Sequence, residues 1–165
     1  MRKGQLTDIP EIAALAKQSI KMMHAEGNNQ WDETYPTEES FKEDIRSGTL
    51  YVQEEQGEIA GSATIDMVEG KPYKQIKWRS DEKALVLHRL LVNPEVRGKG
   101  VASAFMDFLE HLAGEQGISY LKTDTSSLNK PAQKLFERKG FQKVGEMYFE
   151  GKEDEFYGYD KFLSH

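Results

Sequence analysis

Between Pro94 and Ala102 the chain reads Pro-Glu-Val-Arg-Gly-Lys-Gly-Val-Ala. Gly98 and Gly100, one residue apart, let a backbone turn sharply and expose its N–H groups. An apolar run precedes this segment and an amphipathic one follows, so a strand leads in and a helix leads out. The start of such a helix carries about half a positive charge. Together these features make an anion site that suits a pyrophosphate. Arg97 and Lys99 add charge at its edge. The same spacing also serves an ordinary glycine-rich strand-to-helix turn, so the loop alone does not name a ligand.

Two nucleotide readings fit poorly. A Walker A loop needs Gly-Lys followed by Ser or Thr, and Gly98-Lys99 is followed by Gly100. A dinucleotide fingerprint wants a third Gly or Ala where Ser103 stands, although Asp124 could act as the ribose-binding acid. That fold also needs several βαβ units beginning early. Here there is one, placed late. The third reading is an acyl-CoA pyrophosphate loop.

The elements that must hold this loop follow from periodicity and punctuation. Residues 2–6 read as a short strand. Thr7, Asp8 and Pro10 open a helix over 10–25, with Ile12, Leu15, Ala16, Ile20 and Met23 on one face. Pro36 and Thr37 open a second, short helix bearing Phe41 and Ile45, stopped by Gly48. Residues 50–53 and 58–66 form a hairpin about Gln56-Gly57. Residues 67–83 are polar and read as a long loop or hairpin extension. Residues 84–92 are almost continuously apolar, which predicts a central strand. A helix at about 99–114 and a strand at 118–125 complete a βαβ unit with parallel strands. A helix over 129–139 ends at Gly140, and strands near 141–149 and 156–163 make a last hairpin. The class is mixed α/β.

Composition narrows the function. The 165 residues carry 22 basic and 28 acidic side chains, a net charge of −6. That balance argues against nucleic acid or an anionic membrane as partner. The absence of Cys excludes a disulfide scaffold, a Cys-ligated zinc site and thiol nucleophile chemistry. No apolar run reaches the ~18 residues of a membrane span, and the first residues lack a signal-peptide core, so a cytoplasmic protein is expected. Charge is uneven: residues 1–66 carry a net −7, and residues 97–143 a net +3. Two ligands of opposite charge would suit that split, though so would an unevenly solvated surface.

Arg97-Gly98-Lys99-Gly100-Val101-Ala102 resembles the Arg/Gln-x-x-Gly-x-Gly/Ala signature of the GNAT superfamily of acyl-CoA-dependent N-acetyltransferases. Val92-Asn93-Pro94-Glu95 is similar to that family's entry from strand to loop. Asn129, Ala132, Leu135, Phe136, Gly140 and Phe141 resemble its second motif, and the order of elements matches over residues 2–163. The resemblance implies a single domain over 1–165, with a mixed central sheet of six or seven strands, flanking helices and a splayed central parallel pair. It implies acetyl-CoA as cosubstrate and no metal. Pantetheine would lie between strands 84–92 and 118–125, pairing with the backbone of Leu90, Leu91 and Val92 as an added strand does. The pyrophosphate would take N–H groups across Arg97, Gly98, Lys99, Gly100, Val101 and Ala102. Asn129 and Phe136 would border the cofactor, and Lys130, Lys134 or Arg138 could meet the 3′-phosphate.

Acetyl transfer to an amine needs a deprotonated amine and a stabilised thioester oxyanion. It needs no covalent enzyme intermediate, which suits a chain without Cys. His88 is the candidate base: it interrupts the apolar run Leu85–Leu90, and an imidazole, with an ordinary pKa near ~6.5, can accept a proton at neutral pH. By strand alternation it shares a face with Leu90 and Val92. A core histidine is the competing reading. His24, His111 and His165 read as structural or solvated. From the resemblance, an N–H near Leu91 or Val92 serves the oxyanion. Many relatives place a Tyr where Phe136 stands, and a phenyl ring has no proton to give a leaving thiol. Solvent, Tyr148, Tyr157 or Tyr159 could replace it. Asp124 could orient the acceptor or cap the helix that follows it. Glu26, Trp31, Asp32, Glu33, Tyr35, Glu38 and Glu39 would suit an ammonium by charge and cation–π contact, and Trp78 could face it too. The expected acceptor is a small-molecule or peptide amine, and a homodimer stays open. The alternative is a catalytically weak acyl-CoA-binding regulatory module; a dinucleotide-binding protein is a distant third.

Overall fold

The computed structural model describes residues 1–32 and 35–164. Glu33 and His165, both named above, lie outside them. The chain forms two compact units, one from Met1–Ile65 with His88–Phe105 and one from Asp66–Leu87 with Met106 onward.

In the first unit the first strand, β1 (Arg2–Lys3), is shorter than the expected span of residues 2–6. Leu6–Asp8 is a 3-10 turn instead, because Asp8 takes the Gln5 N–H at 2.7 Å and both Arg2 nitrogens at 2.9 Å. Helix α1 (Ile9–Ala25) follows, with Pro10 in its first turn, where a missing N–H costs nothing. Helix α2 (Glu38–Arg46) is opened by Thr37, whose Oγ1 accepts the Ser40 N–H at 3.2 Å while Ser40 returns the bond. Strands β2 (Leu50–Glu55) and β3 (Glu58–Asp66) pair antiparallel about Gln56-Gly57, both with positive φ, the geometry that matches strand twist in a tight hairpin. Ile12, Phe41, Leu50, Val52, Ile59 and Leu91 are buried in this unit's core. Gly61 permits a close approach of backbones: a Cβ there would stand 2.7 Å from the Leu91 carbonyl oxygen and 3.0 Å from Val101.

Strand β4 (Ala84–Val92) begins in the second unit and ends in the first, with the boundary between Leu87 and His88. Helix α3 (Val101–Glu115) makes the return crossing. In the second unit β5 (Tyr120–Ser126) runs parallel to β4, in register from Ala84↔Tyr120 to Val86↔Lys122. Helix α4 (Lys130–Arg138) and the hairpin of β6 (Gln142–Met147) and β7 (Phe156–Phe162) complete the chain. Taken pair by pair, the strand order is β1-β2-β3-β4-β5-β7-β6, a seven-stranded mixed sheet. Residues 67–83 form no strand. They make a 3-10 turn at Lys71–Gln75 and are pinned where Arg79 binds Asp160 at 2.7 Å. Trp78 packs on Tyr73, and the Lys122 ammonium sits 4.5 Å over its ring, so this indole serves the second unit's packing.

Candidate active site

The first unit brings together β4, the glycine loop and the start of α3. Asn93 anchors the exit from β4: its N–H donates to the Ala60 carbonyl at 2.8 Å, and its side chain accepts the Glu95 N–H at 3.0 Å. A 3-10 turn over Pro94–Val96 delivers the chain to Gly98 and Gly100, with φ of +85° and +83°. Nothing lies within 4 Å of a Cβ built on either glycine, and residues 97–100 are exposed. The glycines are therefore needed for the turn and for the open space above it, not for packing. The Gly100 carbonyl accepts the Ala104 N–H at 2.9 Å, so the helix starts at once. Its earliest N–H groups then have no carbonyl in a preceding turn to bond to. No acidic residue sits in that first turn, while Val101 and Phe105 are buried beneath it. Arg97 donates to Glu26 at 2.9 Å across exposed surface.

His88 is half-buried at the unit boundary, and the same holds for Leu90 and Val92; Leu91 is buried. Arg89, which follows His88, has φ of +48°. A bulky residue in the left-handed region is strained by about 1–3 kcal/mol. It also interrupts strand alternation, so the shared face assigned to His88, Leu90 and Val92 does not carry across it. The Arg89 side chain is held at three nitrogens. Nε and Nη2 donate to the two oxygens of Asp44 at 2.7 and 2.9 Å, and Nη1 donates to the Tyr35 hydroxyl at 2.8 Å. Asp44, 9% exposed, also accepts the Thr64 hydroxyl at 2.6 Å. Burial pushes the guanidinium pKa down, but the bonds to Asp44 and the Tyr35 contact push it up by more. This network went unpredicted. Its one sequence signal was a second polar residue in the apolar run, since a buried Arg needs an acid. Which acid it takes depends on α2 crossing beside β3, and that is not written locally.

The segment expected to receive an amine is only partly available. Trp31 is 5% exposed and packs in the first unit's core, so its face is not offered to a ligand. Tyr35 is 43% exposed. The His24 ring bonds the Trp31 carbonyl at 2.8 Å, a structural role, and His111 pairs with Glu115 on the surface.

In the second unit Asn129 caps α4, its side-chain oxygen accepting the Ala132 N–H at 3.2 Å. Asp124 does not serve as that cap; it accepts the Tyr73 hydroxyl at 2.6 Å. Lys130, Lys134 and Arg138 are exposed at a spacing of four, on one face of α4. Phe136 is 3% exposed and packs at a tilt against Phe141 and, edge-on at 5.2 Å, against Tyr159. Among the tyrosines offered as proton donors, Tyr148 is exposed, Tyr157 lies under the Lys143 ammonium, and Tyr159 is buried. Burial, helped by the charges of Glu137 and Tyr157, pushes the Tyr159 phenol up to about 12. Among the described residues no group of three or more His, Cys, Asp or Glu side chains is placed to hold a metal.

A parallel strand pair leading through a glycine loop into a helix, within a seven-stranded mixed sheet, matches the GNAT fold. A family model for the acetyltransferase (GNAT) family matches residues 17–141, and the chain belongs to that family. A crystal structure of a GNAT-family acetyltransferase from Streptococcus agalactiae 2603 is similar to it, with a TM-score of 0.86 at 25% identity, covering 99% of this chain and 95% of that one. A Staphylococcus aureus Mu50 chain described as an acetyltransferase is 34% identical, with a TM-score of 0.77, over 99% of this chain and 98% of that one. The N-acetyltransferase 8 of Rattus norvegicus is 32% identical over 111 residues, 67% of this chain and 46% of the relative. The chain spans under half the length of the curated relatives it matches.

Proposed function

We propose that the protein transfers an acetyl group from acetyl-CoA to a primary amine by direct attack in a ternary complex. The carrying observation is the loop ahead of α3: two left-handed glycines with open space at both Cβ positions, at the start of a fifteen-residue helix. A side chain at either glycine would fill that cradle, and a pyrophosphate fits where it is left open. When bound, acyl-CoA supplies an acetyl group already activated as a thioester. The Arg97 and Lys99 N–H groups donate to the Pro94 and Val96 carbonyls, so those of Gly98, Gly100, Val101 and Ala102 hold the anionic end, and Arg97 exchanges its bond with Glu26 for phosphate oxygen. The backbone of Leu90, Leu91 and Val92 lies beyond the β4–β5 register and offers amide groups to pantetheine. His88 takes the proton from the incoming ammonium. An N–H near Leu91 or Val92 donates to the carbonyl oxygen as charge builds there. Solvent supplies the last proton, because Phe136 has none to give. Glu26, Asp32, Glu38 and Glu39 give the segment before α2 and its first turn a negative field suited to a cationic acceptor.

Calorimetry with acetyl-CoA and with NAD, followed by thiol release with a panel of amines, tests this reading. Acetyl-CoA should bind and NAD should not. Gly100→Asp, which puts a carboxylate where the backbone meets the anion, should abolish binding while the far-UV spectrum is unchanged. Undiminished acetyl-CoA affinity in the folded variant would remove the loop assignment. Tight binding with no thiol release on any amine would favour the acyl-CoA-binding module over the enzyme.

A further inference from the structure

A guanidinium carries one N–H on Nε and two on each terminal nitrogen. In Arg89 the first unit uses only part of this set. Nε and Nη2 donate to the two Asp44 oxygens at 2.7 and 2.9 Å, and Nη1 donates to the Tyr35 hydroxyl at 2.8 Å. One N–H is left on each terminal nitrogen, with no acceptor among the described residues. The Tyr35 oxygen, by accepting from Arg89, leaves its own O–H to donate, and that O–H too has no acceptor among the described residues. The edge is reachable: the Arg89 side chain is 17% exposed and Tyr35 is 43% exposed. Donors without acceptors select an anionic oxygen group, and hydrogen bonds to such a group are the strong ones.

The surroundings narrow the kind of anion. Asp44 binds the guanidinium through both oxygens and also accepts the Thr64 hydroxyl at 2.6 Å, so the plane in which the remaining donors lie is fixed. It also cancels the guanidinium charge, and what is left to a ligand is directed donors rather than net charge. The segment before α2 and its first turn carry Glu26, Asp32, Glu38 and Glu39. That field disfavours a dianion and accepts a carboxylate balanced by its own ammonium. His88, the proposed base, directly precedes Arg89. Regular alternation would send the two side chains to opposite faces, and the positive φ of Arg89 interrupts that alternation. Base and donors on consecutive residues suit an acceptor whose amine and carboxylate are close neighbours.

We propose that the acceptor is a free α-amino acid, its carboxylate held by the remaining Arg89 N–H groups and the Tyr35 hydroxyl, its amine presented to His88. This rests on the acetyl-transfer reading above. The N–C bond forms as the thioester C–S bond breaks. Of the ammonium protons one passes to His88, one stays on the amide nitrogen and one reaches the thiolate through solvent. Arg89 and Tyr35 then determine specificity.

Thiol release on the common L-amino acids and on their α-amides tests this, since each amide keeps the side chain and the amine and loses only the carboxylate. For the preferred amino acid, kcat/KM should exceed that of its amide by on the order of 10-fold or more, the worth of hydrogen bonds to a charged group. Arg89→Lys keeps a cation for Asp44 and loses the planar fork, so it should bring that ratio close to one. Tyr35→Phe removes one donor from an exposed ring and should lower the ratio by about 5- to 10-fold; it keeps the test open if the Lys variant does not fold. A purely structural role would lower kcat/KM for acid and amide together and leave the ratio where it was. Amides turned over as well as amino acids by the parent, or a ratio unmoved in Tyr35→Phe, overturns the inference while acetyl transfer stands. Thiol release on no amine at all overturns the acetyl-transfer reading and this inference with it.

Discussion

On the proposed reading His88 is the base, and substitution separates that role from a core histidine. It is half-buried on a strand whose preceding four residues, Ala84 to Leu87, are all buried. His88→Ala should lower turnover on the order of 10²–10⁴-fold, the usual worth of a positioned base, with acetyl-CoA affinity kept because loop and strand backbone are untouched. His88→Gln can hydrogen-bond but cannot take a proton, so it should stay as stable as the parent and remain slow. Turnover of the Gln variant within a few-fold of the parent, at neutral pH, would take His88 out of the mechanism. His88 stood out because it interrupts an apolar run. Arg89, one residue on, interrupts the same run and was passed over, because what makes it matter is a dihedral angle and a partner 45 residues away.

At the scale of elements, α4 and β7 decide what Phe136 can be. The resemblance to the family leads to the expectation of a proton donor there. Packing places a ring that is 3% exposed, set against Phe141 and Tyr159. Phe136→Tyr therefore adds a hydroxyl to a closed apolar contact. It should cost about 1–3 kcal/mol in urea unfolding, the penalty for a buried hydroxyl without a partner. An unchanged unfolding midpoint would mean that the ring edge opens onto a polar group or a ligand, and a gain in turnover would then identify that ligand as the leaving thiol. The same elements explain the cap of α4. Asn129 stands immediately before the helix, in reach of its first-turn N–H groups, whereas Asp124 is still within β5 and points its bond at Tyr73.

For the whole molecule, pH links folding to buried phenols. Burial raises Tyr159 to about 12, and burial followed by the Asp160 bond raises Tyr120 further. A neutral form favoured in the folded state contributes stability that is fully present below the ordinary phenol value near ~10 and is lost as pH rises through the folded value. Urea unfolding should therefore show stability falling between pH 10 and pH 12. Tyr159→Phe should fall less steeply over that interval than the parent. Identical slopes would show that the Tyr159 phenol is not held neutral by the fold.

Local signals carried most of the element order: proline and threonine at helix starts, glycine at helix ends, a nine-residue apolar strand, and two glycines before an amphipathic helix. These act over a few residues, so a sequence written once is enough to read them, and the family resemblance rests on the same short motifs. The details around the candidate site and its supports came from groups distant in the chain. The Arg89 guanidinium meets Asp44 on α2, itself bonded by Thr64 on β3; residues 67–83, read as a long loop or hairpin extension, make no strand and are anchored by Asp160 on β7; and the withdrawal of Trp31 from the acceptor segment needs the core formed by α1, β2 and β3. Charge pairing and burial are properties of three-dimensional neighbours. Periodicity tells which face of an element is apolar, but only the packed chain decides which acid meets which base.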